Sequence, residues 1–385
     1  MMMNKPIKYI AFYSDNVHDG QNRIATLSAT NKIDYICTAI TRNNYEVEIV
    51  SPSWTKNSSG FYKGDVKRIT DSITLKTFAT FGGESKIKRI FKYLFSLIQL
   101  FFYLLISTEK DEPIIVYHSV ILSLPIRTAK LFKKFKIILE VEEIYQDAQN
   151  LSGFMKKNEY KAFASGDKYL FSTELLNQKI NKTNKPQSII YGTYQVEKDR
   201  EASFEDDKIH VVYAGTFDPI KGGALAAIDA AKYLTKDYHI HIIGFGSIEQ
   251  IKSIEDKVAE VSLISDAIVS YHGLLKGEDY IQFIQKCQIG LSTQIPGAKY
   301  NETSFPSKIL SYMANGLKVV SIRIKAIEYS SIGSQIYYYQ QQDPKEIANK
   351  IISIDFSSSY DSRKLIKSLD ENFLKEIKLL LKTKE

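Results

Sequence analysis

The stretch TSFPSKILSYMANGLKVVS, Thr303 to Ser321, reads as loop, helix and strand in quick succession. Pro306, Ser307 and Lys308 open the helix, Asn315-Gly316 close it, and LKVVS follows as a β-branched run. Lys308 falls in the first turn, where the helix macrodipole favours anions and disfavours cations. A lysine placed there needs a partner, and an anion at the helix entrance would supply one.

Outward from this segment the same alternation continues. HVVYAGT, a helix across Ala224 to Leu234, HIHIIGFG, a helix near Glu249 to Val261, IVSYHG, GEDYIQFIQKC and IGLST precede it, and QIYYY follows. The first half alternates in the same way: IKYIAFYS, a helix from about Ile24 to Asn43, YEVEIVS, a basic apolar helix, PIIVYHS, another helix, FKIILEVE, a further helix, KYLFST and SIIYG. Strands alternating with helices predict βαβ units and parallel, doubly wound sheets. The fold class expected is α/β, with two Rossmann-like domains facing a central cleft and the chemistry beyond the strand ends. The boundaries expected are 1–193, an acid-rich linker at 194–208, 209–353, and a helical segment at 354–385. In that last segment Leu365, Ile366, Leu369, Phe373, Leu374, Ile377 and Leu380 share a helical stripe.

Length and composition agree. A chain of 385 residues fits two domains at roughly 150 residues each, and an apolar fraction of 44% fills their cores. Cys37 and Cys287, the only cysteines, lie in different expected domains and offer no disulfide framework or metal-ligand cluster. A reducing, cytoplasmic setting is expected, and the opening residues carry no secretory pattern. The net charge of +7 suits an anionic surface or substrate, and no nucleic-acid motif accompanies it. Local charge says more. Arg127, Lys130, Lys133, Lys134 and Lys136 cluster without an acid among them. Lys86, Lys88, Arg89 and Lys92 precede the apolar run Leu94 to Ile106, which is short of the ~20 residues needed to span a bilayer. Two readings stand: a core helix with a solvated basic end, or a helix lying in the membrane interface beside anionic headgroups.

In the second half, YAGTFDPIKGG, HIIGFG, YHGLL and the opening stretch occur in an order that resembles the carboxyl-terminal domain of GT-B glycosyltransferases, particularly the large retaining family 4, over roughly residues 209 to 353. The resemblance implies a nucleotide diphosphate sugar as donor, held by Gly215, Thr216, Lys221, Gly222, Gly244, Leu275, Thr303, Phe305, Pro306, Ser307, Lys308 and Ser311. Lys221 and Lys308 would stabilise the leaving diphosphate. Two departures matter. Thr216 stands where many members carry arginine, and the family's two glutamates fall at Thr303 and Ser311, with Glu302 next to the first. Glu302 is expected to take the sugar-side role, and Ser311 a weak ribose contact.

The first half resembles the same family by position only. His118, just past a strand, corresponds to a histidine near the reacting sugar. Glu140, Glu142 and Glu143 stand at another strand end, where Glu142 and Glu143 are candidates for base or acceptor orientation. Gly20, Asn22 and Arg23 occupy the first strand-to-helix turn and are expected to meet phosphate or acceptor. No D-x-D arrangement and no His/Asp cluster is read from the sequence, so no metal or other cofactor is expected.

The function expected is transfer of a sugar to a hydroxyl of a glycan or lipid-linked oligosaccharide of a bacterial surface polysaccharide such as capsule or lipopolysaccharide, retaining and metal-independent. The setting expected is cytoplasmic, at the inner face of the cell membrane, with peripheral membrane contact and no nucleic-acid partner. The alternatives are an inverting GT-B transferase, including a furanosyl one, a GT-B-fold sugar-nucleotide epimerase, and a non-catalytic nucleotide-binding partner of a transferase.

Overall fold

The computed structural model describes residues 5–15, 20–25, 27–148, 152–219, 222–295, 297, 299–357 and 360–382. The chain divides into two units, Met1–Tyr191 with Glu371–Glu385, and Gly192–Asp370. The segment expected as a linker lies within the second unit.

The strands of the first unit are β1 (Ile7–Ile10), β2 (Val47–Ser51), β3 (Phe61–Tyr62), β4 (Asp65–Thr70), β5 (Ile73–Thr77), β6 (Thr80–Phe81), β7 (Pro113–Tyr117), β8 (Lys136–Val141), β9 (Lys168–Phe171) and β10 (Gln187–Ile189). Eight of them form one sheet in the order β10-β9-β8-β7-β1-β2-β5-β4, parallel except for β4 against β5. Its interior strands are buried apolar runs, as a sheet covered on both faces requires. The strands β3 to β6 were not anticipated by the sequence reading. The reason is visible in β4, whose DVKRIT is polar and exposed and forms a charged edge.

The helices of this unit are α1 (Leu27–Thr41), α2 (Lys86–Ser107), α3 (Val120–Lys133), α4 (Tyr145–Ala148), α5 (Gly153–Ser165) and α6 (Glu174–Ile180). The Ser85 hydroxyl caps α2 by accepting from the Lys88 amide. This helix buries Lys92, Ser96, Leu100 and Leu104, and exposes Ile87, Ile90, Phe91, Leu94, Phe95, Ile98, Phe102 and Ile106. Among the described residues it is the one helix long and apolar enough to cross a membrane.

The second unit holds β11 (Ile209–Thr216), β12 (Tyr238–Phe245), β13 (Ile268–Tyr271), β14 (Ile289–Ser292), β15 (Lys318–Ile322) and β16 (Tyr337–Tyr339). They pair in parallel in the order β13-β12-β11-β14-β15-β16. Renumbered within the unit this is 3-2-1-4-5-6, the doubly wound order whose switch point lies between the first and fourth strands. Its helices are α7 (Gly223–Ala230), α8 (Ile248–Ser262), α9 (Gly277–Gln285), α10 (Lys308–Ala314), α11 (Lys325–Glu328), α12 (Pro344–Ile352) and α13 (Ser362–Leu381). The α13 stripe buries Ile366, Phe373, Ile377 and Leu380, while Leu365, Leu369 and Leu374 are half-buried. From Glu371 onward it belongs to the first unit, where Phe373 stacks on Tyr35 with centroids 5.8 Å apart.

Candidate active site

The switch point of the second unit is built around Tyr312. Its side chain is fully buried, and its hydroxyl accepts from the Ala214 amide on β11 at 2.8 Å and donates to the Leu291 carbonyl on β14 at 3.3 Å. Lys308 lies four residues earlier on the same helical face. Fixing Tyr312 therefore carries Lys308 to the carboxyl end of β11, where its Nζ stands 3.9 Å from the centroid of the Tyr213 ring. Gly215 makes this approach possible, since a Cβ there would lie 2.9 Å from Lys308 Nζ. The lysine in the first helical turn thus has a partner already: the negative face of an aromatic ring.

Gly215 pairs in register with Gly244 on β12, so neighbouring strand ends carry no side chains. Gly222 adopts a left-handed backbone and caps α7, and Thr293 Oγ1 fixes the next residue by donating to the Gly223 carbonyl at 2.6 Å. Thr216 is exposed beside this turn, and Tyr213 donates to its carbonyl at 3.2 Å. Lys221 lies outside the described residues. On the other side Asn301, buried at 3% exposure, donates to the Ile295 carbonyl at 2.6 Å and accepts from Gln294, pinning the loop that leads to Glu302. Glu302 is exposed, Thr303 and Phe305 are buried, and Leu275 and Pro306 are half-buried.

Two expectations are corrected at α10. The helix is seven residues long, and the amides of Ile309, Leu310 and Ser311 donate to the Pro306 and Ser307 carbonyls. Those amides do not form an anion cradle, and the exposed Ser307 makes no side-chain cap. The Ser311 hydroxyl, expected to meet a ribose, lies 3.1 Å from the hydroxyl of half-buried Tyr280.

In the first unit the structure separates residues that the sequence grouped. Arg23 is buried, and its guanidinium donates to the Ser53 carbonyl at 2.6 Å, the Phe78 carbonyl at 2.9 Å and Gln21 Oε1 at 2.8 Å. It ties loops together instead of facing phosphate. Asn22 and Gly20 give their carbonyls to the Lys56 amide and the Asn57 side chain. His118 does follow β7, but it is buried, stacked on Tyr145 at 4.9 Å and against Phe163 at 4.7 Å. Burial pushes its imidazole down to about 3. The cavity beside it, lined also by Ser119, Ser123 and Arg127, measures about 10 Å³, enough for a water and too small for a sugar. The Glu159 carboxylate is 3.7 Å from His118 and accepts the Tyr145 amide at 2.7 Å.

Glu142 pairs with Lys32, which also donates to the Ile190 carbonyl at 2.8 Å. Glu143 is half-buried at the same strand end. Glu140 is fully buried and accepts from the Tyr9 hydroxyl, and desolvation followed by the Glu142 charge raises its pKa. Tyr9, Lys32 and Glu159 carry no motif that the sequence reading used.

An open pocket of about 670 Å³ in the first unit was also missed. Ile24, Trp54, Lys56, Lys86, Arg89 and Tyr93 line it, along with Lys92 and the single acid Glu84. Lys92 Nζ donates to the Thr55 carbonyl at 2.7 Å, and burial followed by the nearby Arg89 lowers its pKa. The pocket opens at the start of α2; besides the exposed apolar residues of that helix, Leu124, Leu131 and Phe132 of α3 and Phe154 of α5 are exposed. The sequence signal was the basic group ahead of the apolar run; what it lacked was Trp54, brought in from the segment after β2.

The expectation of no His/Asp cluster is also corrected. His210, His239, His241 and His272 meet on one face of the second sheet, with Asp206 2.7 Å from His210 Nε2. The H-x-H of β12 was the available signal, since alternate strand residues share a face.

Comparison with known proteins bears on the second unit most directly. Residues 208–354 match the family described as glycosyl transferases group 1. Among curated proteins none matches the chain. Among solved structures, sucrose-phosphate synthase from Thermosynechococcus elongatus is similar with a TM-score of 0.70 at 12% identity, covering 98% of each chain. The apo form of the lipopolysaccharide outer core galactosyltransferase WaaB is similar with a TM-score of 0.61 at 14% identity, over 98% of this chain and 99% of that one. Anabaena HepE in complex with UDP and glucose gives 0.60 at 11% identity, over 97% and 100%. At such identities the structural likeness speaks for the fold, and the family match speaks for the chemistry. The match of residues 208–354 to glycosyl transferases group 1, on a fold shared with GT-B structures, supports a glycosyltransferase that uses a nucleotide sugar.

Proposed function

We propose that the chain transfers a sugar from a nucleotide diphosphate sugar to a hydroxyl of a lipid-linked glycan at the cytoplasmic face of a membrane, with retention of configuration and without a metal bridging the diphosphate. The observation that carries this reading is Lys308 at the switch point. Loss of a diphosphate leaving group requires cationic stabilisation where charge develops. Lys308 brings an ammonium to paired glycine strand ends, and rotation of its flexible side chain moves that charge from the Tyr213 ring to a phosphate oxygen. Retention follows from the resemblance to family 4.

The lipid-linked acceptor rests on the first unit. Eight large apolar residues of α2 face outward while its Lys92 and Ser96 are buried, an inversion that favours a non-aqueous neighbour. The adjoining pocket offers Lys56, Lys86 and Arg89 to anionic groups and Trp54 and Tyr93 to apolar or sugar faces. Two of the similar structures, a galactosyltransferase and a complex with UDP and glucose, make UDP-hexoses the first donors to try.

Calorimetry against a panel of nucleotide sugars, followed by acceptor-dependent release of free nucleotide, tests the reading. Binding with release only when acceptor is added is expected. Binding without release would indicate a non-catalytic partner, a reading favoured by the engaged Ser311, and product from donor alone would indicate an epimerase. The anomeric signal of the product distinguishes retention from inversion. For the membrane, co-sedimentation with anionic vesicles is expected for the parent chain and lost in Phe91→Asp/Phe95→Asp; equal sedimentation of both would remove the lipid surface from the proposal.

A further inference from the structure

Four of the chain's six histidines meet on the second sheet. His239 and His241 alternate along β12 and so project to one face, and His210 on β11 is the register partner of His239. We infer that His210, His239 and His241 form a binding site for a divalent cation of the zinc class, which clamps β11 to β12. Each of the three offers one ring nitrogen, and these lie within 4.8 Å of one another. Tetrahedral zinc sites place imidazole nitrogens about 3.3 Å apart, so small side-chain rotations close the set.

Outer partners hold the rings in the manner of a metal site. Asp206 Oδ1 is 2.7 Å from His210 Nε2, His272 Nε2 is 2.9 Å from His241 Nδ1, and Ser270 Oγ is 2.9 Å from His239 Nε2. Such contacts orient ligating imidazoles and fix their tautomers. His210 Nδ1 faces His241 Nε2 at 2.8 Å, so one proton lies between them. A cation takes the place of that proton. His241 then carries its hydrogen on Nδ1 and donates to His272 Nε2, while half-exposed His272 moves its own hydrogen to Nδ1 through solvent. No co-reactant is needed and every ring stays neutral.

The rings of Phe204, 4.0 Å from His210 and 4.9 Å from His241, and of Phe283, 5.2 Å from His241, provide an apolar shell. His239 is half-buried, which leaves an edge for a water as fourth ligand. His210 precedes Gly215 by five residues on β11, roughly 17 Å along a strand. The cation therefore braces the sheet and does not bridge the diphosphate, so the inference stands apart from the donor assignment.

The test uses the full chain without a histidine tag, stripped with chelator and titrated with Co²⁺ and then Zn²⁺. Expected are one Co²⁺ per chain with the visible absorption of a four-coordinate site, displacement by Zn²⁺, and a higher melting temperature with Zn²⁺. His239→Gln should weaken binding at least a hundredfold. Asp206→Asn, at an exposed positioning residue, should weaken it about tenfold. A readout that needs no variant is X-ray absorption of the zinc form, where three imidazoles at about 2.0 Å are expected. Absence of stoichiometric Co²⁺ binding, full affinity in His239→Gln, or fewer than two imidazoles around zinc would each overturn the site.

Discussion

The two units repeat a doubly wound sheet but finish their switch points in opposite ways. In the second, the paired glycines Gly215 and Gly244 stand one residue before the ends of β11 and β12, and a lysine reaches over Gly215. In the first, β7 is followed by His118, closed in by Tyr145 and Phe163 beside a cavity of about 10 Å³. The fold supplies a crevice at each place, and side-chain volume decides whether a ligand can use it. Site chemistry has to be argued from residues and cannot be taken from topology.

The largest effect should come from filling the open switch point. A Cβ at Gly244 would lie 1.8 Å from the Gly215 carbonyl oxygen, at a backbone φ of +155°. Gly244→Ala should cost about 3 kcal/mol or more, read as a shifted urea midpoint. An unchanged midpoint would mean that the paired strand ends can move apart and are not a rigid floor. Lys308→Ala should weaken nucleotide-sugar binding or turnover at least tenfold, about 1.4 kcal/mol, with little change in stability.

The closed switch point should answer to pH instead. His118 stays neutral when folded down to about 3, whereas an unfolded histidine protonates near 6.5. The unfolded state therefore binds more protons between these values, and the stability present above pH 6.5 is lost as pH falls. At pH 5.5 the loss from this group is about 1.4 kcal/mol. His118→Gln should flatten the slope of unfolding free energy between pH 7 and 5.5 by that amount, and a slope equal to the parent's would place the imidazole in water. Ser311→Ala should be the smallest, changing donor affinity less than twofold because Tyr280 already engages the hydroxyl; a tenfold loss would restore Ser311 as a ribose contact.

Much of the second unit was legible because its signals are local. Glycine turns, β-branched runs and the Pro306 to Gly316 helix each declare themselves within a few residues. Lys308 was found by its misfit with the macrodipole, although the ring of Tyr213 that receives it lies far away in sequence. Lys32 with Glu142, Trp54 in one pocket with Lys86, and His210 opposite His239 were invisible for the same reason: the fold brings together residues that carry no joint pattern along the chain, and only the H-x-H of β12 was local. Arg23 was misread because a polar loop residue can serve backbone carbonyls as readily as a phosphate.

The most direct test of the central claim is a crystal structure with a bound nucleoside diphosphate sugar. A phosphate oxygen within about 3 Å of Lys308 Nζ, next to Gly215 and Gly244, is the expected result. A diphosphate bound elsewhere, with Lys308 still lying over Tyr213, would contradict it.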